Sequence, residues 1–193
     1  MNIKKNILAI ALLIAFSVSL MYDRQISLFF QTMRNLPLDI IFMVFTYAGS
    51  MIAVLFLILS FAMWKPKTRK WIVPFWLSLG VSVLVTYAIK ALVERPRPEA
   101  IGIIAITAGV GFSFPSAHAS ASFSALPVLG KAYRKWMAAW VIIAVIISIS
   151  RVYLGVHYMS DVIAGAAIGY CAGLICVKLA DSSWFRRLNF LGR

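Results

Sequence analysis

The stretch WIVPFWLSLGVSVLVTYAIKALV occupies residues 71–93 and carries a single charged side chain, Lys90. An α-helix needs about 20 predominantly apolar residues to cross the hydrocarbon core of a bilayer, so this stretch predicts a transmembrane helix. The whole chain has the same character, because 62% of its 193 residues are hydrophobic and only 13% are charged. A soluble domain of this size has no interior large enough for so much apolar side chain. The composition therefore excludes a soluble enzyme.

Similar apolar runs recur along the chain and predict an all-α, polytopic membrane protein with six transmembrane helices in a bundle. No repeat, low-complexity tract or soluble insert interrupts them, so we expect residues 1–193 to form a single membrane-embedded domain. The first run resembles a signal peptide, but no small-x-small cleavage site precedes Tyr22, which favours an uncleaved span. The predicted spans are Ile7–Tyr22, Ile40–Trp64, Trp71–Val93, Pro115–Gly130, Trp136–Ser150 and Asp161–Ala180.

The basic residues predict the orientation. If the N-terminus is cytoplasmic and six spans alternate, most of the 19 lysines and arginines fall inside, and every acidic residue except Asp181 falls outside. The positive-inside rule then predicts two cytoplasmic termini in a bacterial inner membrane. The segment 23–39, between the first two spans, is open to two interpretations, a plain loop or a stretch along the membrane interface. The basic residues placed inside are Lys4, Lys5, Lys65, Lys67, Arg69, Lys70, Lys131, Arg134, Lys135, Lys178, Arg186, Arg187 and Arg193.

Polar residues gather on the predicted outer face. Both histidines of the chain, His118 and His157, fall there together with Lys90, Arg97 and Arg151. Each lies at or just inside the end of an apolar helix, where an ionisable group is costly and usually functional. Three cations without matching carboxylates would repel one another unless an anion lay among them. Since arginine binds phosphate in a bidentate way and lysine adds a point charge, these residues predict a phosphate site.

The sequence PSAH at residues 115–118 adds donors to this site. Pro115 stands at a predicted helix start, where the backbone N–H groups of the first turn are free to bind an anion. The hydroxyl of Ser116 is a further donor. The net charge of +13 does not indicate a nucleic-acid partner, because the basic residues flank apolar segments and form no stripe.

The histidines predict chemistry at the bound phosphate. His157 and Asp161 are four residues apart, so one helical turn would bring the carboxylate against the imidazole and set its tautomer. A neutral His157 can then attack phosphorus and form a phospho-histidine. His118 is the candidate general acid for the leaving alkoxide and the later base for water.

Three motifs resemble, in order and spacing, the signature of the type-2 phosphatidic acid phosphatase superfamily. These are membrane lipid phosphatases, and vanadium haloperoxidases share their site. The family pattern K-x6-R-P appears here as KALVERPRP at residues 90–98. The pattern P-S-G-H appears as PSAH, and S-R-x5-H-x3-D appears as SRVYLGVHYMSD at residues 150–161. Upstream, LPLDIIFMVFTYAGS at residues 36–50 is similar to the segment that commonly opens these proteins, so the resemblance covers essentially the whole chain.

The resemblance implies a role for each matching position. It gives phosphate binding to Lys90, Arg97, Ser116, Ala117 and Arg151, acid/base chemistry to His118, nucleophilic attack to His157, and support of that nucleophile to Asp161. Ala117 departs from the glycine usual in the family. If that glycine needs a positive φ, alanine strains the loop. If it only lets the backbone approach phosphate, one methyl group has a modest effect on substrate fit.

The resemblance and the residues together predict an enzyme that hydrolyses a lipid phosphate or pyrophosphate through a phospho-histidine at the outer face. We expect no cofactor and no metal, because both histidines are already used and the other outer carboxylates show no ligand spacing. The family's substrates are polyprenyl pyrophosphate, phosphatidylglycerophosphate, phosphatidic acid and lipid A phosphate. We favour undecaprenyl pyrophosphate or a phospholipid monoester among them.

Three alternatives remain open. A lipid phosphotransferase would use the same intermediate with a lipid acceptor in place of water. An anion or phosphate transporter could use the same cations, although the chain has no inverted repeat. A catalytically inert lipid-binding relative would have no need for the intact set of His118, His157 and Asp161.

The last predicted span carries a stripe of small residues. Gly165, Gly169 and Gly173 form a double G-x-x-x-G motif. Such a stripe lets two helices approach closely, and we expect internal packing rather than a homodimer interface. The expected partners are therefore the bilayer and its lipid phosphates.

Overall fold

The computed structural model describes residues 3–182, without the side chains of residues 3–6, 8 and 9. Within that range the chain is all-helical, with short 3-10 turns and no strand. The α-helices are α1 (Ile3–Thr32), α2 (Leu36–Ser50), α3 (Ile52–Ala62), α4 (Ile72–Val93), α5 (Ala117–Ser124), α6 (Leu126–Ala132), α7 (Met137–Tyr153) and α8 (Met159–Ala180). Of the basic residues that we placed inside, the side chains of Lys4 and Lys5 and all of Arg186, Arg187 and Arg193 lie outside the described part.

Four helical segments of residues 3–182 are long and apolar enough to cross a bilayer: Ile10–Thr32 within α1, and the segments that contain α4, α7 and α8. The predicted span Ile40–Trp64 appears as the pair α2 and α3, bent by 69°, which would make a fifth if it crosses as one unit. The predicted span Pro115–Gly130 appears as two short helices, α5 and α6. Pro127 has no amide hydrogen, so one regular helix cannot continue through it. The count of six spans stays a prediction.

The first helix is longer than the sequence indicates. We expected the span to end at Tyr22 and the segment 23–39 to be a loop or an interfacial stretch. Instead α1 continues to Thr32, and α2 begins at Leu36 after a cap in which the Asn35 side chain accepts a hydrogen bond from the Leu38 amide. The prediction was wrong because Asp23 is buried in the structure and has partners there.

The short helix α5 lies at the centre of the bundle and contacts α4, α7 and α8. Its small residues Ala119, Ser120, Ala121 and Ser122 are all buried. The glycine stripe of α8 packs against it, within reach of the carbonyl oxygens of Ser116, Ser120 and Ser124. A Cβ atom on Gly169 would lie 1.9 Å from the Ser120 oxygen, so only glycine permits this approach. The stripe thus packs inside the fold, as the sequence predicts.

Polar groups and the apolar core lie toward opposite ends of the bundle. A cluster around Phe56, Met63, Phe75 and Leu129 forms the core, and the rings of Phe56 and Phe75 stack at 3.9 Å between centroids. Large apolar side chains face outward along the helices, as in Leu84, which is 72% exposed. Such a surface suits lipid rather than water. At the other end, the C-termini of α4 and α7 meet the N-termini of α5 and α8.

Candidate active site

His157 and Asp161 form a buried pair at the start of α8. His157 lies in the turn before the helix, and its Nδ1 is 3.4 Å from Oδ2 of Asp161. We expected both residues on one helical turn. The structure places only Asp161 on the helix, where its carboxylate also accepts the amide of Tyr158 at 2.9 Å. Because Nδ1 faces Asp161, Nε2 is the ring nitrogen available to a substrate.

Burial sets the charge of the His157 ring, which lies between the spanning helices α7 and α8. Removal from water lowers the pKa of His157, and the guanidinium groups of Arg151 and Arg97 lower it further, against the opposing effect of Asp161. The imidazole is therefore neutral at physiological pH. A neutral ring with a proton on Nδ1 keeps the lone pair of Nε2.

Three cations lie around this pair, and none of them has a carboxylate partner among the described residues. Lys90, at the end of α4, donates to the carbonyls of Phe112 (2.7 Å) and Ser113 (3.2 Å). Arg151, at the end of α7, donates from Nη1 to Oγ1 of Thr46 at 2.7 Å, and its Nε is buried without a partner. Backbone dipoles and hydroxyls hold these two charges without neutralising them.

Arg97 departs from the simple role of a free phosphate ligand. Its guanidinium donates to the carbonyls of Gly111 (2.8 Å), Val110 (2.6 Å) and Val156 (2.6 Å), and at 3.3 Å to that of Phe112. All but one of its N–H groups are engaged in this way. Arg97 therefore fixes the loop that runs from α4 to α5, and it brings one positive charge toward His157.

The sequence PSAH lies at the N-terminus of α5. The helix begins at Ala117, two residues later than Pro115, where we expected it, and Ser116 takes the cap position without a capping bond. The hydroxyl of Ser116 is buried and has no hydrogen-bond partner. Ala117 does not have a positive φ, so alanine causes no strain there, and a modest effect of its methyl group on substrate fit stays a prediction. The first-turn N–H groups of α5 have no intrahelical acceptor.

His118 is half-buried on the first turn of α5 and faces α2. Its Nε2 lies 3.0 Å from Oγ of Ser50, a residue that the sequence analysis did not single out. One turn earlier, Thr46 holds Arg151. A signal for both existed in the sequence, because Thr46 and Ser50 are polar residues four apart in the mostly apolar stretch 40–50. Helix α2 thus supplies hydrogen-bond partners to both Arg151, a predicted phosphate ligand, and His118, the predicted acid.

A second set of polar residues supports Asp161 and was also missed. Arg95 donates from Nη1 to Oδ1 of Asp161 and from Nη2 to Oδ2 of Asp23, at 2.7 Å in each case. Ser113 donates its hydroxyl to Oδ2 of Asp161. The sequence contained a signal for Arg95, because ERPRP at residues 94–98 repeats the dipeptide R-P, whereas the family pattern K-x6-R-P uses only the second copy, with Arg97. Within residues 3–182, no three His, Cys, Asp or Glu side chains come close enough together to hold a metal ion.

Comparison with known proteins places these residues in a family. Residues 71–185 match the model of the PAP2 superfamily. The chain is 37% identical over 105 residues to decaprenylphosphoryl-5-phosphoribose phosphatase of Mycobacterium tuberculosis. The aligned part covers 52% of this chain and 58% of the relative. It is 29% identical over 179 residues to lipid A 4'-phosphatase of Bacteroides thetaiotaomicron, which covers 82% of this chain and 76% of that relative. The chain thus spans just over half the length of its mycobacterial relative.

A solved structure shares the architecture. The transmembrane PAP2 type phosphatidylglycerolphosphate phosphatase from Bacillus subtilis superposes with a TM-score of 0.74 at 25% sequence identity. The match covers 88% of this chain and 94% of that chain. Together with the apolar helices, this neighbour shows a multi-pass membrane protein. The family model covers more than half of the sequence, and this chain belongs to the PAP2 superfamily.

Proposed function

We propose that this protein hydrolyses a lipid phosphate or lipid pyrophosphate, with His157 as the nucleophile and without a divalent cation. One observation carries the proposal. The buried pair of a neutral His157 imidazole and the Asp161 carboxylate lies beside Lys90, Arg97 and Arg151, three cations with no carboxylate partner in the described part of the chain. Uncompensated cations beside a neutral imidazole fit a ligand that brings its own negative charge.

Unsatisfied donors support a phosphate at this point. The hydroxyl of Ser116 and Nε of Arg151 are both buried without partners. A buried polar group left unsatisfied costs about 1–3 kcal/mol, and a phosphate bound between these two groups would supply the missing acceptors. Phosphate oxygens are strong acceptors for a hydroxyl, a guanidinium and the free N–H groups at the start of α5.

In the first step, Nε2 of His157 attacks phosphorus and the bond from phosphorus to the leaving oxygen breaks. His118 gives its proton to that oxygen, which departs as a lipid alcohol or, from a pyrophosphate, as a lipid monophosphate. Lys90, Arg97 and Arg151 stabilise the charge on the equatorial oxygens. The Nδ1 proton stays between His157 and Asp161 and stabilises the phosphorylated ring.

In the second step, His118 removes a proton from water as the water oxygen attacks phosphorus. The bond between phosphorus and Nε2 then breaks, inorganic phosphate leaves, and the His157 ring returns to its neutral form. Ser50, within hydrogen-bond distance of His118, orients the acid/base ring in both steps.

The names of the relatives support the substrate class. The mycobacterial relative is named for a decaprenyl-linked phosphate, the Bacteroides relative for lipid A, and the structural neighbour for phosphatidylglycerolphosphate. A membrane-anchored phosphate is common to all three. We extend that class to this chain, with polyprenyl pyrophosphate, phosphatidylglycerophosphate, phosphatidic acid and lipid A phosphate as candidates.

The distribution of charge supports an orientation in the inner membrane. We propose six spans over residues 1–193 as one domain, with both termini cytoplasmic and the site at the extracytoplasmic face. Lys65, Lys67, Arg134 and Lys135 lie in the connections at the end of the bundle away from His157, and the positive-inside rule makes that end cytoplasmic. The lipid phosphate would then be hydrolysed from the outer leaflet.

The test is phosphate release by the detergent-purified protein in EDTA, with the four candidate lipids as substrates. We expect turnover in EDTA, and we expect His157→Ala to abolish it without changing the elution volume or thermal unfolding midpoint. Activity that EDTA removes and Mg²⁺ restores would overturn the metal-free mechanism. Full activity of His157→Ala would overturn the assignment of His157 as the nucleophile. Phosphate that appears only on an added acceptor lipid would identify a phosphotransferase.

A further inference from the structure

Arg95 lies just outside the phosphate-binding residues and contacts none of them by hydrogen bond. Instead it connects two buried carboxylates on different helices, Asp161 of α8 and Asp23 of α1, at 2.7 Å each. Its Nη1 also donates to Oγ of Ser160 at 2.7 Å. Since both ends of its guanidinium fork are engaged by carboxylates, Arg95 is not available as a phosphate ligand.

The two oxygens of Asp161 have separate partners. Oδ2 accepts from the Tyr158 amide, from the Ser113 hydroxyl and from Nδ1 of His157. Oδ1 accepts from Arg95. Without Arg95, Oδ1 would lose its donor, and only the bonds of Tyr158 and Ser113 to Oδ2 would hold the plane of the carboxylate that faces His157.

The position of Arg95 is itself restrained. Its guanidinium carbon lies 4.0 Å from the centre of the Tyr158 ring, which sets the plane of the fork. Asp23 is buried and is held by the Ser160 amide at 3.0 Å and by the Ser160 hydroxyl. A planar cation between two carboxylates and over an aromatic ring is a site that lysine cannot reproduce.

We propose that Arg95 is a positioning residue for the nucleophile, and that Asp23 anchors it from the first helix. Arg95 holds Oδ1 of Asp161, so that Oδ2 stays directed at Nδ1 of His157. The proton then remains on Nδ1, and Nε2 keeps its lone pair toward the phosphate. The proposal rests on the proposed function, in which His157 is the nucleophile, and it gives α1 a place in the chemistry.

The first test compares Arg95→Ala, Arg95→Lys and Asp23→Asn in steady-state assays with a detergent-solubilised lipid phosphate. Arg24→Gln is the matched control, because it removes an exposed positive charge from the position next to Asp23. For Arg95→Ala we expect kcat to fall about 10- to 100-fold, the range for outer residues that orient an imidazole. We expect KM to change by less than about threefold, because Arg95 binds no phosphate oxygen. Arg95→Lys should recover little of the loss, and Asp23→Asn should show a smaller fall in kcat.

Chemical rescue separates positioning from folding. Millimolar guanidinium chloride should restore part of the kcat of Arg95→Ala and leave the wild type unchanged, whereas sodium chloride at equal ionic strength should restore none. A folded Arg95→Ala protein with wild-type kcat would overturn the proposal. So would a loss confined to KM, because that result would make Arg95 a phosphate ligand. If Arg95→Ala does not fold, Asp23→Asn tests the proposal in its place. An unchanged kcat in Asp23→Asn would overturn the proposed role of α1.

The second test does not depend on activity. The chain has two histidines, so ¹⁵N-imidazole NMR spectra are assigned with His118→Asn alone. In the wild type we expect one His157 tautomer, with hydrogen on Nδ1, and in Arg95→Ala a mixture of tautomers. An unchanged single tautomer in Arg95→Ala would overturn the positioning role. If His157→Ala kept its activity while the tautomer still depended on Arg95, the proposed function would fail and the structural coupling would stand.

Discussion

At the scale of single residues, the structure brings the eight predicted site residues to one end of the bundle, from four different helices and the connections between them. Their surroundings differ in a way that residue type alone does not show. Ser116 and Arg151 keep unsatisfied donors, whereas Arg97 is almost fully engaged by backbone carbonyls. We therefore expect Ser116 and Arg151 to contribute more directly to phosphate binding, and Arg97 to contribute its charge and the order of its loop.

His118 can be tested through the leaving group. With p-nitrophenyl phosphate, whose phenolate leaves without a proton, His118→Asn should still phosphorylate His157 but should hydrolyse the intermediate slowly. We expect a burst of nitrophenol close to one equivalent of enzyme, followed by turnover about 10²- to 10⁴-fold slower than wild type. Stopped-flow absorbance measures both phases, and His157→Ala is the control without a burst. The absence of a burst in a folded His118→Asn protein would argue against the acid/base role.

The pH dependence of His157 follows from its burial. Its pKa is lowered, so the folded protein takes up this proton only well below the ordinary value of about 6.5. As pH falls below that value, the unfolded chain binds a proton that the folded chain does not, and this residue lowers the stability of the fold. Above that value its contribution to the pH dependence vanishes. A ¹⁵N-imidazole NMR titration should show His157 neutral at pH 6, and a midpoint at or above 6.5 would contradict the prediction.

At the scale of elements, the contact between α5 and α8 positions most of the site. It places the first turn of α5, with Ser116 and His118, beside the first turn of α8, with Asp161, and the Ser116 amide donates to the Asp161 carbonyl at 2.9 Å. Three glycines of α8 make the close approach possible. The same glycine stripe thus also sets the distance between His118, the proposed acid/base, and Asp161, the partner of the proposed nucleophile His157.

Gly169→Ala should therefore destabilise the protein and lower its activity. The added Cβ would meet the Ser120 carbonyl at 1.9 Å, and relief of that overlap costs about 1–3 kcal/mol of unfolding free energy. Gly80→Ala on α4 is the matched control, since nothing lies within 4 Å of its Cβ and alanine favours a helix by about 1 kcal/mol. Thermal unfolding in detergent compares the two. Equal midpoints would show that α5 and α8 can separate at little cost.

The first helix shows why an element boundary was wrong. A carboxylate at the end of an apolar run normally marks the end of a span, because an unpaired charge in an apolar environment is costly. Asp23 escapes that rule because Arg95, distant in sequence, neutralises it in the folded state. The ion pair between Asp23 and Arg95 forms only in the tertiary structure, so the residues near Asp23 in the sequence do not indicate it.

At the scale of the whole molecule, the orientation is open to a direct test. In a variant whose Cys171 and Cys176 are replaced by alanine, Glu99→Cys lies at the site end and Lys67→Cys lies at the opposite end, both exposed. A membrane-impermeant maleimide should label Glu99→Cys in intact spheroplasts and Lys67→Cys only after permeabilisation. The reverse pattern would place the site in the cytoplasm and overturn the orientation from the positive-inside rule.

The sequence by itself determined the class of the fold and the family motifs from which the chemistry of the site is predicted. Apolar runs of bilayer length make a helical membrane protein because lipid offers no partner for an open backbone. The spacing of Lys90, Arg97, Ser116, His118, Arg151, His157 and Asp161 was sufficient to predict a phosphate site, because motif residues are recognised by type and interval.

Only the tertiary structure decided how those residues are supported. The extension of α1 to Thr32 depends on the contact between Asp23 and Arg95, which are distant along the chain, and the sequence did not predict the 69° bend between α2 and α3. The bonds of Arg95 to Asp23 and of Ser50 to His118 likewise join segments 72 and 68 residues apart along the chain. Local pattern reports which face of a helix is apolar, but the free energy of a buried polar group depends on the partner that folding brings to it.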